Sequence, residues 1–252
     1  MSMKRLSRSS HSSRSSRESQ ETQATEATEV SASTTTITTK TQYNYEIFSL
    51  VDRDLVIWRK LHRRSVSGQL LDGQGIVLAT IHDQSPETMD NDDTGVDRSF
   101  RIEVRHPQTD DVMLVIKRPR HLINGETKVY LPGWCSSTNK RKYLELGHCT
   151  QSFSYIHRQY QLATLEDRKL LKYHSFGEVS ATPRQQRFTV SSATRRYGVG
   201  DDVAWVDAAP SGVPLKHSSV LWFDQRLTPD HRVILVATAA CLNIDYLDPR
   251  NA

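Results

Sequence analysis

Cysteine is scarce: the 252-residue sequence holds three, with no C-x-x-C pair among them. That excludes a disulfide framework and a structural zinc site, and it points to a reducing, cytoplasmic setting. Glycine (11) and proline (9) are too few for a collagen-like chain, while 37% hydrophobic residues are too many for a chain unfolded throughout. Long apolar runs are missing as well. The longest, Val233 to Ile244, has twelve residues and contains Thr238 and Cys241, short of the roughly 18 to 20 that span a bilayer. No apolar core follows the first basic residues, so no secretory signal is expected. There is no G-x-G-x-x-G, P-loop, H-E-x-x-H or G-x-S-x-G, and the ten histidines are scattered without a third partner near His82-Asp83 or His148-Cys149. The expectation is a protein that binds rather than an enzyme. Lys and Arg outnumber Asp and Glu by 33 to 29, giving a net charge of +4 and a pI near 9.0. That is a mild tilt toward anionic partners such as phospholipid headgroups or nucleic acid.

What is present divides into a tail and a globular part. Nineteen of the first forty residues are Ser or Thr, with Lys4, Arg5, Arg8, Arg14 and Arg17 preceding Glu18, Glu21, Glu26 and Glu29. Such a stretch cannot form a core, and residues 1–42 are expected to be a disordered tail. From Tyr43 to Asp248, short apolar runs alternate with turn signals. Phe100, Ile102 and Val104 share one face of a period-two strand, and Asn124-Gly125 marks a hairpin. Further strands are expected at 76–81, 112–116, 127–131, 143–146, 153–156, 161–165, 170–173, 187–190 and 203–206. This regular spacing implies an antiparallel sandwich or barrel rather than a βαβ fold. A helix is read at Leu50 to Arg59, with a strand at Leu55 to Trp58 as the competing assignment. A clearer helix follows Thr228, with Pro229 at its first position and Asp230 at the positive end of its dipole. It runs to about Tyr246, and its apolar residues face all directions. The natural place for such a helix in an all-β protein is inside a closed barrel.

Three basic clusters stand out: Arg59 to Arg64, Lys117 to His121, and Lys140 to Lys142. Their residues Arg63, Arg64, Lys117, Arg118, Arg120, Lys140, Arg141 and Lys142 are candidates for an anionic-headgroup site. Nucleic-acid binding would need exposed aromatics between the cations, and Trp134 near Lys140–Lys142 is the one hint of that. In the acidic loop, Asp90, Asp92, Asp93 and Asp97 are spaced like the first half of a calcium loop. The position that needs a bidentate carboxylate is Arg101, so the loop is not an EF-hand, and calcium would bind weakly.

In order along the chain, several segments resemble the phospholipid scramblase family, which has a tubby-like fold. Asp52-Arg53-Asp54-Leu55-Val56-Ile57 looks like the family's first short helix, and Gly68-Gln69-Leu70-Leu71-Asp72-Gly73-Gln74-Gly75 like its first hairpin. Arg98-Ser99-Phe100-Arg101-Ile102, and Val112 to Ile116 followed by Lys117-Arg118-Pro119, resemble its next strands. Phe153 to Tyr160, then Leu165-Glu166-Asp167-Arg168-Lys169-Leu170-Leu171, resemble its central pair of strands, and Ile244-Asp245-Tyr246 the end of its last helix. The resemblance implies a twelve-stranded closed antiparallel barrel around a buried C-terminal helix at about 229–246. It also implies binding of anionic phospholipid and bidirectional lipid movement between leaflets. The site would be the cytoplasmic face of membranes, in particular the plasma membrane, with peripheral or single-pass attachment. The family's acylated Cys-rich run is reduced to Cys135, and the acid-rich calcium segment before the last helix retains Asp224 alone. The alternative is a tubby-like regulatory adaptor that contacts phosphoinositide, protein or nucleic acid without moving lipid.

Overall fold

The computed structural model describes residues 41–61, 66–85, 99–119, 125–136, 138–153, 158–182, 185–207 and 218–245. Its strands are β1 (Thr41–Tyr43), β2 (Leu55–Lys60), β3 (Gly68–Leu71), β4 (Val77–Asp83), β5 (Phe100–Arg105), β6 (Val112–Arg118) and β7 (Gly125–Cys135). After them come β8 (Lys140–Phe153), β9 (Arg158–Asp167), β10 (Lys172–Ala181), β11 (Arg187–Ser192), β12 (Asp202–Asp207) and β13 (Ser218–Phe223). The helices are α1 (Glu46–Leu50) and α2 (Pro229–Asp245). Strands β2 to β13 pair antiparallel, each with the next in sequence, and β13 returns to pair with β2. The result is a closed twelve-stranded barrel of the simplest up-and-down order. The short β1 adds to the far end of β7, with Gln42 opposite Trp134.

Strand alternation makes the barrel apolar within and charged without. Ile102, Val104, Leu114, Ile116, Val129 and Leu131 are buried around α2, whereas Arg101, Glu103, Arg105, Lys117 and Lys128 lie at the alternate positions. This is the inverse of a membrane-spanning barrel, whose outward face is apolar. Within α2 every residue from His231 to Asp245 is buried, and each fully buried Val, Leu or Ile there contributes roughly 1.5–3 kcal/mol. Close approach is also built into the wall. A Cβ at Gly147 would fall 2.1 Å from the Ala163 carbonyl oxygen and 2.7 Å from Ile234 Cδ1, so only glycine lets β8 pass between β9 and the helix.

The two ends of α2 are fixed differently. At its start, Arg232 donates to the carbonyl oxygens of Val51, Arg53, Asp224 and Gln225, tying the helix to both flanking loops. His231 stacks on Phe176 with ring centroids 3.9 Å apart, and its Nδ1 lies 2.8 Å from the Tyr197 hydroxyl. At its finish, Asp245 accepts two hydrogen bonds from Arg118, at 2.7 and 2.8 Å, and one from the Tyr160 hydroxyl at 2.8 Å. Asn243 donates to Ser219 Oγ and to the Ala239 carbonyl. Asn243 and Asp245 thus meet polar partners inside the barrel.

Local expectations change at several points. The segment after α1 is the strand β2, not a helix: Val56 and Trp58 turn inward in a period-two pattern that a helix would not keep. Strand β13, which completes the ring, falls in a stretch for which no strand was expected. Thr41 and Gln42, assigned to the tail, lie in β1; residues 1–40 lie outside the described residues. Of the expected strand at 153–156, Phe153 is the last residue of the long β8, and 154–156 lie outside the described residues.

Candidate functional site

The basic clusters do not converge. In an up-and-down barrel successive connections alternate between the two ends. Lys117 and Arg118 lie near the end where α2 finishes, while Lys140, Arg141 and Lys142 lie near the end where it starts. Arg63, Arg64 and Arg120 lie outside the described residues, as do Asp90, Asp92, Asp93 and Asp97. Among the described residues, no group of three or more His, Cys, Asp or Glu is placed to hold a metal ion.

Two assigned residues are corrected by burial. Arg118 is not a headgroup ligand: its side chain is 2% exposed and is spent on Asp245. Period-two alternation from Leu114 and Ile116 carries Arg118 to the inward face, where its guanidinium also lies 4.6 Å from the Phe100 ring. Burial alone would lower its pKa, but the Asp245 carboxylate more than offsets this and holds it above the ordinary value. Cys135 is likewise buried, at 1% exposure, so its thiol is not presented for acylation.

Lys117 alternates outward, and its surroundings form a site that the clusters did not reveal. Its Nζ lies 4.8 Å from the centroid of the Tyr143 ring and 5.6 Å from that of Tyr130. Arg101 and Lys128 are its cross-strand neighbours on β5 and β7. Together with Phe100, Pro119 and Tyr130 these residues line a cleft of about 350 Å³. Arg101 is anchored by Glu103, with Nη2 2.6 Å from Oε1, and reaches the Tyr143 hydroxyl at 3.4 Å. Burial pushes the Glu103 carboxyl up, but hydrogen bonds from Arg101 and Arg105 outweigh it and leave Glu103 below its usual pKa. Lys128 faces Glu145 at 3.6 Å and Glu126 at 3.9 Å. Burial raises the Tyr130 pKa, as do the nearby Glu145 and Glu126, so its hydroxyl remains a donor. The cleft thus presents three cations, two of them partly neutralised, beside a phenol donor. Geometry of this kind suits a phosphate group.

Arg101, Lys128, Tyr130 and Tyr143 were missed because none sits in a dense charge run. Their signal was alternation: Phe100-Arg101-Ile102-Glu103-Val104-Arg105 puts Arg101 outward, and Thr127-Lys128-Val129-Tyr130-Leu131 does the same for Lys128 and Tyr130.

A second cleft, of about 640 Å³, lies nearer the other end. Trp134 and Arg141 are cross-strand partners in it, as are Pro132 and Tyr143, with Tyr45, Glu46 and Asp111 completing the lining. Searched against family models, curated proteins and solved structures, the chain matches none.

Proposed function

We propose that this chain is a phospholipid scramblase-like barrel that binds anionic phospholipid at its outer wall and acts by binding, not by catalysis. The observation that carries the reading is Lys117: among the described residues no carboxylate lies within ion-pair distance of it, and it sits over two tyrosines between Arg101 and Lys128. Sedimentation with vesicles tests it. Binding should require anionic lipid and weaken as salt rises. Lys117→Ala and Lys128→Ala should each weaken it about fivefold, from about 1 kcal/mol per well-placed charge. Equal binding to neutral vesicles, or unchanged binding in both variants, would sink the reading.

Lipid movement between leaflets is the further step that the resemblance implies. The adaptor alternative draws support from one observation: α2 is enclosed on all sides by the wall, and no described helix is long and apolar enough to cross a membrane. A fluorescent lipid in liposomes with an impermeant quencher separates the two. Signal loss beyond the outer-leaflet half supports movement, and loss of that half alone supports the adaptor.

A further inference from the structure

The larger cleft has a chemistry unlike that of the Lys117 site. Its aromatic side chains are exposed to a degree unusual for a folded wall: Tyr45 53%, Trp134 46% and Tyr143 38%. Its charged lining is Glu46, Asp111 and Arg141, two negative groups to one positive. Lys140 and Lys142 do not join it. They pair across from Cys135 and Gly133, and strand alternation turns them to the face opposite Arg141. The cleft therefore lacks the cationic track that a nucleic-acid strand needs. Exposed aromatic faces beside carboxylates are instead the means by which proteins hold quaternary ammonium groups, through the ring quadrupole and the nearby negative charge. Arg141, directly opposite Trp134, adds a guanidinium suited to a phosphate. The cleft volume also falls within the usual range for small ligands.

We propose that this cleft binds phosphocholine, with the quaternary ammonium against Trp134 and Tyr45 toward Glu46 and Asp111, and the phosphate on Arg141; Tyr143, whose ring already carries Lys117 Nζ at 4.8 Å, bounds the cleft on the side of the Lys117 site. As a lipid headgroup, this ligand rests on the phospholipid reading above; free phosphocholine shares its chemistry. A molecule holding choline headgroups here and anionic ones at Lys117 would engage a mixed bilayer through two adjoining sites that meet at Tyr143.

The test titrates the full chain with phosphocholine, choline and inorganic phosphate, read by saturation-transfer NMR and tryptophan fluorescence. Phosphocholine should bind, choline should bind more weakly, and phosphate should not compete. Trp134→Ala should weaken phosphocholine about tenfold, while Trp134→Phe should retain most of the affinity. Arg141→Gln should weaken phosphocholine but leave choline unchanged. Unaltered circular dichroism in Trp134→Ala would show that the barrel is intact. Absence of saturation transfer, identical titrations for Trp134→Ala and the parent, or phosphate competing as well as phosphocholine would overturn the proposal. Preference for a lysine-bearing peptide over phosphocholine would overturn it too.

Phosphatidylcholine vesicles distinguish the sources. Competition by vesicles assigns the site to lipid; binding of soluble phosphocholine without vesicle competition assigns it to the free compound. Lys128 lines the Lys117 cleft and not the larger one. Lys128→Ala should therefore change anionic-vesicle binding and leave the phosphocholine titration untouched, so failure of one site is not read as failure of the other.

Discussion

At the residue scale, two buried polar groups inside the barrel give the sharpest expectations. Asp245 and Arg118 are paired with almost no solvent contact, so removing one leaves the other buried without the opposite charge that faces it. Asp245→Ala should cost about 3–5 kcal/mol, whereas the double replacement Arg118→Met/Asp245→Leu should cost far less, because a buried pair repays little more than its own desolvation. Urea midpoints of the three proteins check this. His231 offers a pH test. Burial, then the charges of Arg196 and His174, lower its pKa to about 4, against about 6.5 in the unfolded chain. Below the unfolded value the unfolded chain takes up a proton that the folded one refuses. Stability should therefore fall from about pH 6.5 toward pH 4, by up to about 3 kcal/mol, and His231 should add no slope above that window. His148, also lowered by burial, acts in the same direction. Denaturation at pH 7 and pH 5 should show a smaller loss for His231→Phe, which keeps the stack on Phe176 although it starts from a lower value at pH 7. The inward turn of Arg118 was legible in the alternation Leu114, Ile116, Arg118, and the polar end of α2 in Asp245. Their pairing across 127 residues was not, because sequence spacing carries no information on which strand faces which helix turn.

At the element scale, α2 is a core rather than a membrane span. Its apolar circumference, its Pro229 start and its burial in a closed barrel could all be read from composition, because a helix apolar on every side has few places to go. Ala237 is fully buried, and Ala237→Arg should be severely destabilising through burial of an unpaired charge. Truncation after Pro229 should unfold the barrel. Strand-rich circular dichroism and a monomeric state that survive truncation would refute the core assignment. The elements misread show the limits of local pattern. Leu55–Trp58 satisfies both a helical and a strand period over so few residues, and pairing with β3 and β13 decides between them. Ser218–Phe223 opens on two serines, a weak strand signal. Ser219 finds its use only against Asn243 of α2.

At the scale of the whole molecule, the alternating ends of the barrel separate charge clusters that look alike in sequence. Density of Lys and Arg singled out Arg118 and Lys140–Lys142, yet one is internal, and of the others Arg141 alone lines the aromatic cleft. The outward cations that gather at Lys117 come from three different strands, and only the register brings them together. Ring closure has one further consequence, for synthesis. The partner of β2 is β13, and the helix that fills the interior is made after it. A chain emerging from the ribosome must hold an open β2 edge and an unfilled apolar trough until β13 and α2 have been translated. Free strand edges and exposed apolar surface are what aggregation recruits. The nascent chain is thus most vulnerable before β13 and α2 emerge, and those two elements convert an open, sticky sheet into a sealed barrel.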